Sequence, residues 1–297
     1  MDPNTVNPSQ LFSVEGMVVV ITGGGTGIGL MMTKAFANNG AAKVYIVGRR
    51  KEKLEEAARD ASPYGNVIPI VGDVTSKESL AKVAEQVKRE TGFVNLLCCN
   101  SGAYPKPIGV NSSDVSLQEF AAKCLEQEPE DWNNGFSTNT TAVAFTAFSF
   151  LELLDAGNKQ NNCPGRRSQI LVTSSVAGFL RNPTTIGVYP LTKAAVTHLV
   201  KYLSGALIPY SIRVNALAPG LFPSDLAASL IAKGGETQQD PSTEGAFPKS
   251  FQPSTRLGST ADMAGTVLYM ASAAGAFLNG CIHLIDGGKL GQLPATY

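Results

Sequence analysis

Short apolar runs rich in β-branched residues alternate with helix-length amphipathic stretches along most of the chain. The runs lie at 17–22 (MVVVIT), 43–48 (KVYIVG), 66–71 (NVIPIV), 94–99 (VNLLCC), 169–174 (QILVTS), 211–217 (SIRVNAL) and 281–285 (CIHLI). Helical patterns fall between them, near 27–39, 50–61, 76–91, 130–155, 189–208 and 260–272. The runs are apolar almost throughout instead of alternating, which suits strands of a parallel sheet covered on both faces. The βα rhythm predicts an α/β fold: one doubly wound parallel sheet of about seven strands, flanked by helices on both faces, with right-handed crossovers. No repeat or low-complexity linker divides residues 1–297, which read as a single domain behind an N-terminal tail at 1–14.

Three stretches depart from this rhythm. Residues 103–129, with Pro105, Pro107 and NSSD, form a long excursion after the fourth run. Residues 156–168 (AGNKQNNCPGRRS) have the composition of a surface loop. Residues 221–257 hold a short helical piece followed by a Gly/Pro/Ser/Thr-rich run, expected to be mobile. Loops of such length are uncommon unless functional or disordered, which makes 221–257 the candidate substrate lid.

Charge and composition narrow the function by exclusion. Lys+Arg and Asp+Glu balance at 24 each, so no overall field recruits nucleic acid or an anionic membrane. Cys98, Cys99, Cys124, Cys163 and Cys281 form neither a CxxC pair nor a disulfide framework and read as reduced core residues. The polar N-terminus carries no signal pattern, and no apolar run approaches the roughly 20 residues that span a bilayer. The expected location is the cytoplasm. His198 and His283 read as structural, no cluster has metal-ligand spacing, and the GxSxG elbow of an α/β-hydrolase is absent. No metal is expected.

Candidate chemistry begins where the first run meets "VVVITGGGTGIGL", Val18 to Leu30. Glycines between a strand and a helix allow positive φ and leave the backbone bare, so that a pyrophosphate can lie against it. The helix N-terminus behind them offers unpaired N–H groups and partial positive charge. The spacing Thr22-Gly23-x-x-x-Gly27-x-Gly29 resembles the fingerprint of the short-chain dehydrogenase/reductase superfamily. The resemblance runs from about 17 to 288 and implies a Rossmann-type fold. In it, Gly23, Gly25, Thr26, Gly27, Ile28 and Gly29 hold a dinucleotide.

At the end of the second run, Gly48, Arg49 and Arg50 stand where an acidic residue would bind an adenine-ribose 2′-hydroxyl. Planar guanidinium groups suit a 2′-phosphate by charge and geometry, which points to NADP(H), with Arg49 preferred. The other reading is a solvated helix start. The resemblance sets Asp73 and Val74 beside the adenine; Asp73 is also placed to cap the following helix. Asn100 and Gly102 match the family's Asn-Asn-Ala-Gly, whereas Cys99 and Ser101 depart from it.

Tyr189 and Lys193, in VYPLTKAAV, are spaced i and i+4 and project from one helical face. A free phenol titrates near 10, and a nearby ammonium together with an oxidised nicotinamide would lower that value. Tyr189 would then exchange a proton with a carbonyl or alcohol oxygen. The resemblance gives Lys193 the nicotinamide ribose and a nearby serine the substrate oxygen: Ser175 matches, with Ser174 as the alternative. The loop from Ser175 to Tyr189 is about one residue longer than in close relatives, a change a loop tolerates. An asparagine on the central helix supports a proton relay through water in the family. Asn139 fits best, and Asn133 and Asn134 compete. By the same resemblance, Pro219 and Gly220 would shape a turn beneath the nicotinamide, and backbone groups around Leu221 with the Ser224 hydroxyl would hold the carboxamide.

The resemblance implies an NADP(H)-dependent oxidoreductase acting on a small-molecule ketone or secondary alcohol, in a homo-oligomer (dimer or tetramer). The segments FPS (222–224), RLGSTADMAG (256–265) and GCIHLIDGG (280–288) are similar to microbial 3-oxoacyl reductases, including a rhamnolipid-pathway branch. A tailoring reductase of secondary metabolism and a 3-oxoacyl-thioester reductase are the two specificities within this chemistry. The reading from another class is a silent dinucleotide-binding sensor or scaffold, which would not need a full Ser/Tyr/Lys/Asn set.

Overall fold

The structure, a computed structural model, describes residues 5–182, 187–235, 237 and 239–297. Seven strands form one sheet: β1 Val18–Thr22, β2 Lys43–Gly48, β3 Val67–Val71, β4 Leu96–Cys99, β5 Gln169–Thr173, β6 Arg213–Pro219 and β7 Ile282–Ile285. All are parallel, in the order β3-β2-β1-β4-β5-β6-β7. This is the doubly wound Rossmann arrangement expected from the apolar runs. The chain builds outward from β1 to β3, then returns to start β4 on the other side of β1. Such a reversal opens a crevice at the carboxyl ends of β1 and β4, where ligands of open α/β sheets bind.

Alternation along β1 divides the core between two layers. Val19 and Ile21 pack with Met32 and Phe36 of the helix Gly27–Ala37 and with Met263, Val267 and Met270 of Thr260–Ala271. Val18 and Val20 face the opposite layer, with Val143, Phe150, Val196, Val200 and Leu203. That layer contains Lys77–Glu90, Ala142–Ser149 and the 19-residue helix Val188–Ala206.

Three elements differ from the sequence reading. The pattern at 130–155 is not one helix. It runs as Pro129–Phe136, a π-helical turn at Ser137–Thr141, Ala142–Ser149 and Leu151–Gln160. The last piece takes in the first residues of the stretch read as a loop at 156–168. It ends where Asn161 turns left-handed at φ 52°, and Gly157 lies so close to the Val94 carbonyl that no side chain fits. The excursion at 103–129 contains the helix Leu117–Leu125, opened by a capping box between Ser116 and Glu119. Within 221–257, regular structure is limited to single turns between Asp225 and Gly234. The longer Ser175–Tyr189 loop includes 183–186, which lie outside the described residues, as do 1–4 of the N-terminal tail.

Residues near the C-terminus close over this carboxyl edge. Gln252 Nε2 donates to the Asp286 carbonyl at 2.7 Å and Gln292 Nε2 to the Lys249 carbonyl at 3.0 Å, tying down the far arm of the segment expected to be mobile. Leu180 and Ala295 form an antiparallel bridge, Thr296 N donates to the Phe179 carbonyl at 2.8 Å, and the Tyr297 ring meets Phe179 edge-on.

Candidate active site

The turn after β1 explains its glycines one by one. Gly23 and Gly27 have φ of 68° and 51°, a region that disfavours side chains. A Cβ on Gly29 would strike the Gly23 carbonyl oxygen, and one on Gly24 would come within 2.6 Å of Ile46. Two glycines thus serve backbone conformation and two serve close packing. Thr26 caps the helix Gly27–Ala37 in an extended conformation without a side-chain hydrogen bond to the helix. The first-turn N–H groups therefore lack a capping acceptor, and with the helix dipole they form an anion seat. Gly25 packs toward Leu54, and Ile28 lies against the core.

Arg50 donates from Nη2 to the Thr26 hydroxyl at 3.3 Å, which brings one guanidinium to the glycine turn. Arg49, also exposed, contributes to the field that lowers the Asp73 carboxyl. The main cause of that shift is local: Asp73 Oδ1 accepts from Thr75 N at 2.9 Å and from Thr75 Oγ1 at 2.7 Å. The cap of Lys77–Glu90 is Ser76, not Asp73. Val74 is half-buried beside it. Bare positive-φ backbone and the first-turn amides, with two arginines beside them, are a donor set that fits a dinucleotide.

Two threonines that sequence reasoning left out of the site fix the β4 end. Thr22 Oγ1 accepts from Asn100 N at 3.0 Å and Ser101 N at 3.1 Å, while Thr173 Oγ1 donates to Asn100 Oδ1 at 3.0 Å. Asn100 Nδ2 returns a bond to the Thr22 carbonyl at 3.1 Å. The departures at Cys99 and Ser101 leave this packing intact: Cys99 is buried, and Ser101 uses its backbone. Gly102 opens toward Asn139 Oδ1 and Lys193 Nζ.

Asn139 sits fully buried inside the π-helical turn, whereas Asn133 and Asn134 are exposed. Its Oδ1 accepts from Ala103 N at 2.8 Å; its Nδ2 donates to the Ala103 carbonyl at 2.9 Å and to Thr192 Oγ1 at 3.1 Å. Thr192 in turn donates to the Tyr189 carbonyl at 2.7 Å. The extra residue of the π turn aims this amide, so the loop after β4 is clamped to the helix that carries Tyr189 and Lys193.

Ser174 and Ser175 point to different places. Ser174 Oγ lies buried against the Lys193 carbonyl, 3.2 Å, and Thr197 Oγ1, 2.7 Å. The Ser175 hydroxyl hydrogen-bonds the Tyr189 phenol and accepts from Ala177 N at 3.1 Å. Lys193 Nζ lies 5.8 Å from the Tyr189 ring centre and donates to the Thr173 carbonyl at 2.9 Å.

The electrostatics run opposite to the expected lowering of the phenol. Burial pushes Tyr189 up to about 12, with the Ser175 hydrogen bond opposing and Tyr104 adding to the rise. Burial also brings the Lys193 ammonium down to about 8. Burial is the largest cause of both shifts, and the ammonium donates to a backbone carbonyl. Tyr104 is a further residue that sequence reasoning missed; its ring centre is 4.8 Å from that of Tyr189.

The turn after β6 completes the rim. A Cβ on Gly220 would come within 2.9 Å of Asp286 Cα. The Leu221 carbonyl accepts from Gly258 N at 3.0 Å, so that oxygen is already engaged. Pro219 ends β6, and Ser224 caps the next turn, accepting from Ala227 N at 3.2 Å. A Cβ on Gly27 would be 2.9 Å from Ser224 Cβ, so this turn closes directly on the glycine loop. Among the described residues, no group of His, Cys, Asp and Glu could hold a metal, and no helix is long and apolar enough to cross a membrane.

Residues 17–234 match the family model described as short chain dehydrogenase. The chain is 42% identical over 299 residues to short-chain dehydrogenase/reductase PhomF of Diaporthe leptostromiformis, covering 99% of each. It is 28% identical over 277 residues to the rhamnolipids biosynthesis 3-oxoacyl-[acyl-carrier-protein] reductase of Pseudomonas aeruginosa, covering 93% of this chain and 97% of that one. The solved RhlG/NADP active-site complex of Pseudomonas aeruginosa superposes with a TM-score of 0.77 at 26% identity, covering 95% of this chain and 99% of the other.

Proposed function

The chain belongs to the short-chain dehydrogenase family of oxidoreductases, and from that premise we propose that it interconverts a ketone and a secondary alcohol with NADP(H). The observation that carries the proposal is the gathering of Ser175, Tyr189 and Lys193 at one place. The bound nicotinamide would supply a hydride to the carbonyl carbon, or accept one from the alcohol. Tyr189 donates its phenolic proton to the carbonyl oxygen as charge develops there, and Ser175 holds that oxygen by a hydrogen bond. A phenol near 12 stays protonated through neutral pH, the form that can give a proton to a carbonyl oxygen.

Lys193 holds the ribose hydroxyls and supplies positive charge near the phenol. Asn139, with Thr192, keeps the loop after β4 in register with both. Arg49 and Arg50 receive the 2′-phosphate; Asp73 and Val74 flank the adenine. Asn100 and Gly102 line the cofactor, and Pro219, Gly220, Leu221 and Ser224 bracket the carboxamide. Exposed Phe148, Leu191 and Tyr202 on the helices Ala142–Ser149 and Val188–Ala206 support a homo-oligomer built on those faces. A tailoring role in secondary metabolism is the favoured specificity. The Pseudomonas relative's printed activity supports 3-oxoacyl-thioester reduction as the second.

Calorimetric titration with NADPH and NADH tests the cofactor, and Tyr189→Phe tests the chemistry. Expected are tight NADPH binding, weaker NADH binding, and a loss of at least about 100-fold in kcat with the NADPH affinity of the variant unchanged. Undiminished turnover would remove Tyr189 from its role.

A further inference from the structure

Tyr104 is the residue whose position the cofactor and the proton donor leave unexplained. Its ring centre lies 4.8 Å from that of Tyr189, with the two planes 56° apart. The contact is held from behind. Asn139 binds both the N–H and the carbonyl of Ala103, the residue before Tyr104. Pro105, the residue after it, packs on Gly135, where a Cβ would come within 3.0 Å of the proline ring and 3.1 Å of Val188. A half-buried aromatic ring is thus fixed against the proton donor by a buried amide on one side and a proline on the other.

On the same rim, four residues beyond Ser175, Phe179 is braced edge-on by Tyr297 at 5.2 Å. A carbonyl oxygen that reaches Tyr189 therefore arrives beside the braced Tyr104 ring. Flat π faces attract another ring through offset or edge contacts, and do less for a flexible acyl chain, whose ordering costs entropy.

We propose that Tyr104 determines substrate class, and that the physiological carbonyl is attached to or fused with an aromatic ring. This rests on the ketone-reductase reading above and deepens it. The pantetheine-borne 3-oxoacyl chain is then disfavoured as substrate.

The test compares kcat/KM for 1-tetralone, an aryl ketone, with that for cyclohexanone, both with NADPH, in the wild type and in Tyr104→Leu and Tyr104→Phe. The wild type should prefer the aryl ketone. Tyr104→Leu should lower the preference ratio by about tenfold, the worth of one aromatic contact, while Tyr104→Phe, which keeps the ring, holds the ratio within about twofold. Thermal melting and NADPH titration of each variant check folding. A ratio unmoved by Tyr104→Leu, an equal fall in both variants, or a wild type that reduces only cyclohexanone overturns the inference while leaving the reductase reading standing. Reduction of neither ketone, with NADPH bound, overturns both.

Discussion

Lys193 is a cation with almost no access to water: it is 5% exposed, its ammonium donates to one backbone carbonyl, and burial brings it from an ordinary 10.5 to about 8. Carrying the charge at neutral pH therefore costs the folded state about 3 kcal/mol relative to the unfolded chain, at 1.36 kcal/mol per unit. Lys193→Met removes that cost and forfeits the hydrogen bond to the Thr173 carbonyl, worth about 1–2 kcal/mol. The variant should be more stable than the wild type by about 1–2 kcal/mol near pH 6.5, and nearly without turnover.

The sign of the pH dependence follows from linkage. Between pH 8 and 10.5 the unfolded wild type binds the proton that the folded protein has released, so wild-type stability rises with pH through that window. The advantage of Lys193→Met should accordingly shrink by about 2 kcal/mol between pH 6.5 and 9.5. Urea unfolding followed by intrinsic fluorescence at both pH values measures it. A variant less stable at pH 6.5, or a difference that ignores pH, would refute the account of Lys193 as an unpaired buried charge.

Further consequences are open to simpler assays. Gly29→Ala should cost more than about 3 kcal/mol by thermal melting and abolish NADPH binding, because its methyl would meet the Gly23 carbonyl; an unchanged melting point would contradict that packing. Ser175→Ala should lower kcat by about 100-fold or more. Ser174→Ala, which loses bonds to Lys193 and Thr197 behind the site, should cost about 1 kcal/mol of stability and leave kcat within a few fold. Reversal of the two effects would exchange the serines. Arg49→Ala should weaken NADPH by about 10- to 100-fold through loss of a charge-assisted contact, and NADH far less; equal weakening would argue against a phosphate at Arg49.

The sheet was legible because strands buried on both faces leave continuous apolar runs, and β2 begins and ends where the run KVYIVG does. The glycine turn and the Tyr189/Lys193 pair were legible because their chemistry is local, within one turn of chain. What escaped depends on tertiary contact. The π turn at Ser137–Thr141 exists so that Asn139 can reach Ala103, 36 residues away, and no periodicity announces it. Adjacent Ser174 and Ser175 differ only in which way strand β5 leaves the sheet. The opposite pKa directions of Tyr189 and Lys193 follow from burial, which the spacing i, i+4 does not convey. The helix Leu117–Leu125 is a different kind of miss. Its Ser116-x-x-Glu119 signature was present and lay inside a stretch read for its prolines.

The strand-like pairing of Phe179–Arg181 with Pro294–Thr296 joins positions up to 117 residues apart. On a ribosome, the nascent chain can finish β1 and its glycine turn early, yet the pairing of Phe179–Arg181 must wait until Pro294–Thr296 has emerged. A ribosome-bound chain halted before Pro294 should therefore form its glycine turn while Phe179–Arg181 is still unpaired. Non-local closure of this kind comes late in folding because its loop entropy is met only once the rest has formed.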